Sequence, residues 1–131
     1  MNQAVSEWPT FYPPNTPPAD AVITFGPAFR LVTNDPPLRE DFCSTYEESP
    51  KRHFPDTQSY CLACGTSHFA ELKDIQKKRN LFPKLRSKKI AEGQLHSSLG
   101  VMLSTFEPSH FTVWYRYTSN PQGVFKVLES A

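Results

Sequence analysis

No apolar run in this chain approaches the roughly 20 residues that a membrane span needs. No basic stretch leads into an apolar one at the start, so a secretory signal is not expected. Neither sign of charge dominates: 14 Lys and Arg stand against 13 Asp and Glu, for a net +1. That balance excludes bulk attraction to nucleic acid or to an anionic membrane through net charge. Cysteine is scarce and odd in number, 3 in 131 residues, which fits a reducing compartment better than a disulfide framework. The cytoplasm is the expected location. Aliphatic side chains are sparse. The sequence has no G-x-S-x-G elbow, P-loop, G-x-G-x-x-G or H-E-x-x-H. Carboxylates are adjacent at Glu40/Asp41 and Glu47/Glu48, but neighbouring side chains diverge on a helix, so neither pair is assigned acid–base work.

What is present is aromatic: 10 Phe, 5 Tyr and 2 Trp. A chain of this length can bury a core without disulfides, and here the rings are its main material. The length favours one domain, placed at residues 21–131. Residues 1–20 carry prolines at 9, 13, 14, 17 and 18, which excludes a helix or a central strand. They are expected to form a flexible, polyproline-like leader. The sharper alternative is an ordered arm whose Trp8, Phe11 and Tyr12 pack on the domain or on a protein partner.

Periodicity orders the rest. "AFRLVT" (28–33) predicts a strand with one charge inside it. "NDPPLREDFCSTY" (34–46) predicts a helix capped by Asn34 or Asp35, with Pro36 in its first turn and Leu38, Phe42 and Tyr46 as its buried stripe. A polar, proline-broken loop follows, then a brief extended segment within "YCLACGTSHF" (60–69). "ELKDIQKKRN" (71–80) predicts a second helix with basic residues toward its C-terminus. Strands are expected in "KKIAEGQL", "GVMLSTF", "HFTVWYRY" and "GVFKVL". Helices and strands do not alternate regularly, so the expected class is α+β: a twisted, mainly antiparallel sheet carrying two helices.

Several residues could carry chemistry. Cys61-x2-Cys64-Gly65 has the spacing of half a zinc site, but a structural zinc needs four ligands, and Cys43, His53, His68 and His96 are scattered singles. The expected metal content is therefore none, and zinc is unlikely. A charge inside an apolar strand must face solvent or a polar pocket, which makes Arg30 a candidate anion clamp. Gly65, Thr66 and Ser67 form a turn able to offer donors to a sugar or phosphate. In "SHFTVWYRY", alternation puts Phe111, Val113, Tyr115 and Tyr117 on a core face. The other face then presents His110, Thr112, Trp114 and Arg116, either as an exposed surface or as the wall of a groove.

Three pieces taken in order, "FRLVTNDPPLREDF", "GTSHFAELKDIQKKRNLFPKL" and "SHFTVWY", resemble a group of small bacterial proteins of undefined function whose arrangement is similar to the ADP-ribosyltransferase-like fold. The resemblance covers about residues 28–117. It implies a first strand whose Arg30 grips NAD, a segment whose Ser67 lines the nicotinamide pocket, and a closing strand that brings His110. In the binding mode expected here, Arg30 holds the pyrophosphate or ribose, Ser67 hydrogen-bonds the ribose and Trp114 stacks. A family enzyme also needs a glutamate to stabilise an oxocarbenium-like state. Glu92 and Glu107 are the candidates, and no strand offers an obvious one, so no catalytic residue is assigned. The expected function is binding of NAD or a related nucleotide. The alternative is a non-catalytic protein-interaction module that uses its aromatic surface and proline-rich arm.

Overall fold

The computed structural model describes residues 7–106 and 108–129. It is an α+β fold: one seven-stranded sheet in which every pairing is antiparallel, with three α-helices. The strands are β1 (Val22–Ile23), β2 (Gly26–Val32), β3 (Thr66–Phe69), β4 (Lys89–Leu95), β5 (Gly100–Ser104), β6 (His110–Tyr115) and β7 (Phe125–Val127). Their order across the sheet is β1-β5-β6-β3-β2-β4-β7. The helices are α1 (Thr45–Glu48), α2 (Thr57–Ala63) and α3 (Leu72–Leu81). None of the described helices is long and apolar enough to cross a membrane.

Strand alternation sorts the core into two faces. On one, Ala28 and Val32 of β2, Ala91 and Leu95 of β4, and Phe111, Val113 and Tyr115 of β6 pack with Phe42 and Phe125. Phe42 meets Tyr115 edge-on at 6.4 Å and Phe125 at 5.0 Å between ring centroids. The opposite face is covered in two patches. Ile75 and Leu72 of α3 lie over Phe29, Phe69 and Ile90. Cys61 and Cys64, at and just beyond the end of α2, lie over Trp114, with Val101 and Leu103 of β5 alongside. α3 runs with the helix dipole, with Asp74 in its first turn and Lys78 and Arg79 in its last.

The fold departs from the sequence expectations in four places. The helix expected over 34–46 is broken into a 3-10 turn at Arg39–Phe42 and the single turn α1, and Leu38 is exposed. The cause is Asp41. Its carboxylate accepts the backbone amides of Thr33 and Leu38, each at 2.8 Å, and the Asn34 amide at 3.1 Å, folding the Pro-Pro segment into a loop around itself. Next, α2 is an unexpected helix over the end of the polar loop and the start of "YCLACGTSHF", while the extended segment expected around Gly65 is β3. Asp56 caps α2 by accepting the Ser59 amide at 2.8 Å, and strand geometry begins only at Thr66. The two-helix expectation thus becomes three. Third, β1 is an addition; its two residues pair with Val101 and Met102.

The fourth departure concerns the proline-rich segment. Residues 7–20, expected as a flexible leader, lie along the domain: Phe11 stacks on Tyr46 at 4.9 Å, and the Tyr60 hydroxyl donates to the Phe11 carbonyl at 3.1 Å. Glu7 meets Arg116 at 2.8 Å. The arm packs on the Trp114 patch, and every residue of β6 is buried, whereas Tyr117, beyond its end, is 66% exposed.

Candidate functional site

On the outer face of the sheet, the patch beneath α3 and the patch beneath α2 are separated. Between them lie Ser67 of β3, which is exposed, and the buried side chains of its partner Thr112 on β6 and of His110. A cavity of about 360 Å³ opens there, lined by Arg30, Leu31, Ser67, Phe69, Ile75, Lys78, Leu85, Phe106 and His110. The structure thus brings together three of the four expected residues, Arg30, Ser67 and His110.

Arg30 reaches the cavity through a gap in the sheet. β2 pairs with β4 from Gly26 to Val32 but with β3 only at Phe29↔Phe69. Beyond that pair the strands part, and carbonyls that a ladder would satisfy need other donors. The guanidinium supplies them: Nη1 donates to the Ser67 carbonyl and Nε to the Asp41 carbonyl, both at 2.8 Å, and Nη2 approaches the Cys43 carbonyl at 3.5 Å. Its carbon stands 5.9 Å from the Phe42 ring centroid. Burial pulls its pKa down from the ordinary arginine value, with Tyr115 and nearby carboxylates opposing the shift. These carbonyls account for three of an arginine's five N–H groups, and the cation is fixed in place before any ligand arrives.

His110 is buried at the edge of the cavity. Its Nδ1 lies 2.9 Å from Thr105 Oγ1, which is itself 2.9 Å from Thr112 Oγ1. Phe69 meets the imidazole edge-on at 5.1 Å, and Phe106 lies at 5.3 Å. Phe106 is 78% exposed, and its φ of 58° is a left-handed conformation that bulky residues rarely adopt. That backbone turn projects the ring over the groove. Lys78 brings a second cation from α3, and its ammonium lies 5.1 Å from the Phe82 ring.

Trp114 is not part of the cavity. It is 0% exposed, and its indole N–H donates to the Cys61 carbonyl at 2.9 Å beneath α2 and the arm. The expected stacking surface is therefore structural, and Phe106 stands where a stacking ring is needed. Nothing in the local sequence around Phe106 advertised this, since its role comes from the turn that joins β5 to β6. Gly65 lets α2 come down so closely: a Cβ there would stand 2.2 Å from Thr112 Cγ2 and 3.1 Å from the Trp114 ring.

Cys61 and Cys64 are free and buried in this same patch. Burial, then the neighbouring Cys61, pushes the Cys64 thiol up to about 12, far from a reactive thiolate. Among the described residues no group of three or more His, Cys, Asp or Glu side chains gathers as a metal site. Of the two candidate glutamates, Glu92 sits on β4 opposite Phe29, outside the residues lining the cavity, and Glu107 lies outside the described residues.

Comparison of the chain with protein-family models, curated proteins and solved structures finds no match.

Proposed function

We propose that the cavity beside α3 binds NAD or a related nucleotide. The observation that supports this reading is the meeting of Arg30, Lys78, Ser67, His110 and the open ring of Phe106 in one cavity, with no Asp or Glu among its described lining residues. The cations suit phosphate, the serine hydroxyl suits a ribose, and the exposed ring suits a base. The volume falls in the range of small-molecule sites. Arg30 holds the phosphate or ribose oxygens, Ser67 hydrogen-bonds the ribose, and Phe106 takes the stacking role. Transfer of ADP-ribose in an ADP-ribosyltransferase-like domain would also need a carboxylate at the cavity, which no described lining residue supplies, so the proposal is for binding. A thermal shift series with NAD, ADP-ribose and ATP at millimolar concentration tests it. A ligand that binds the folded state raises the melting temperature by mass action; no shift with any of the three sinks the reading.

A second reading, as a protein-interaction module, rests on the sheet edge. β1 is the terminal strand, and Val22, Ile23 and Phe25 are each more than half exposed there. Open strand edges with apolar side chains favour pairing with another chain. Partner capture from cell extract that survives Arg30→Ala but not Phe25→Asp supports this reading. Capture indifferent to Phe25→Asp counts against it.

A further inference from the structure

Ser67 and Phe106 also line a second cavity, of about 440 Å³, on the α2 side of the same face. The two cavities therefore adjoin at Ser67 and Phe106, as two lobes of one candidate groove. The second lobe has its own cation, Arg52, with His53 beside it, and its own hydroxyls, those of Thr45, Ser59 and Thr112. No Asp or Glu is among its described lining residues either.

Arg52 does not dangle freely in this lobe. Its guanidinium carbon lies 5.6 Å from the centroid of Phe54. Phe54 stacks on Tyr60 at 5.7 Å, Tyr60 on Tyr46 at 5.3 Å, and Tyr46 on Phe11 at 4.9 Å. A column of four near-parallel rings, one of them from the N-terminal arm, thus carries the cation at the groove rim. Arginine stacked on an aromatic face keeps its planar edge for oxygen acceptors, which suits a phosphate better than a mobile lysine would.

A nucleotide with its phosphate beside Arg30 and Lys78 and its base on Phe106 would leave the second lobe's cation without an anion. We infer that the groove takes a nucleotide phosphorylated at two separated positions, with one phosphate in each lobe. This inference rests on the nucleotide reading of the first lobe and adds the ligand class.

The test is a calorimetric titration of the full chain with ligand pairs that differ by one phosphate. The pairs are adenosine 5′-phosphate against adenosine 2′,5′- and 3′,5′-bisphosphate, and NAD against NADP. The added phosphate should tighten binding by about tenfold or more in at least one pair, with a gain that shrinks as salt rises. Arg52→Ala should abolish that gain and leave the affinity for the singly phosphorylated partner unchanged. Lys51→Ala, an exposed cation outside the groove lining, should keep the gain. Equal affinities within every pair, or a gain that Arg52→Ala leaves intact or Lys51→Ala removes equally, overturns the inference, while binding of the singly phosphorylated nucleotides leaves the first lobe's assignment standing. Failure of every nucleotide to bind removes both.

Discussion

The Tyr115 hydroxyl and the His68 Nε2 lie 2.8 Å apart inside the core. On the other side of the imidazole, Nδ1 is 2.9 Å from the Thr66 carbonyl. A carbonyl only accepts, so Nδ1 carries the proton and Nε2 accepts from the tyrosine. The ring is neutral and satisfied on both nitrogens, and Phe111 stacks on it at 5.6 Å. This buried polar pair sits in a core of both aliphatic and aromatic side chains.

That neutrality makes stability depend on pH. Burial first, then the positive charge of Arg30, holds the His68 pKa well below 6.5. The unfolded chain therefore takes up a proton that the folded chain refuses. Stability is fully present above the unfolded pKa and is lost as pH falls through and below about 6.5. Urea unfolding between about pH 7.5 and pH 5 should show a loss near 2 kcal/mol from this group. His68→Gln, measured in parallel, should flatten the profile by that amount; an unchanged profile contradicts the assignment.

Asp41 works in the opposite direction. Burial alone would raise its pKa, but the amides of Leu38 and Thr33 and the Asn34 side chain outweigh it and hold the carboxyl below its ordinary value. Its contribution is present above the ordinary carboxylate pKa and lost as pH falls below about 4. Asp41→Ala should cost about 2–4 kcal/mol at neutral pH, measured by urea unfolding, because three donors lose one charged acceptor. The gap from wild type should narrow in acid. The backbone carbonyl of Asp41, which the substitution keeps, accepts from Arg30 Nε, so loosening the loop that the carboxylate organises should also weaken ligand binding at the cavity.

Asp41 and Trp114 mark the limits of what could be read from the residues alone. The strand around Arg30, the α3 helix and the C-terminal strands were legible because their apolar periods are clear and their side chains follow them. The "DPPLREDF" stretch has helical spacing too, yet a single carboxylate with three local donors outcompetes it. In α2 the Asp56 cap was visible in principle but was masked by the surrounding prolines and polar residues. The burial of Trp114 depends on an arm a hundred residues away in sequence. Local alternation placed Trp114 on the correct face and could not say what would cover that face. The resemblance names Arg30, Ser67 and His110, which line one cavity, whereas Lys78 and Phe106 enter it through the packing of α3 and the β5–β6 turn.

Trp114→Phe separates structure from site. It removes the donor to the buried Cys61 carbonyl and should destabilise the protein by about 1–3 kcal/mol. Nucleotide affinity should stay within about twofold of wild type, because the indole never meets the cavity. A loss of affinity larger than the loss of stability explains would place Trp114 back in the site.

The central claim is that one cavity, entered over Ser67, receives a nucleotide between Arg30 and His110. Titration of NAD and ADP-ribose into wild type and into Ser67→Tyr tests it most directly, since Ser67 is exposed on β3 and a larger ring there fills the groove without entering the core. A saturable isotherm in wild type that disappears in Ser67→Tyr, at an unchanged melting temperature, is the predicted result. No isotherm in wild type, or one that survives the filled groove, contradicts the account.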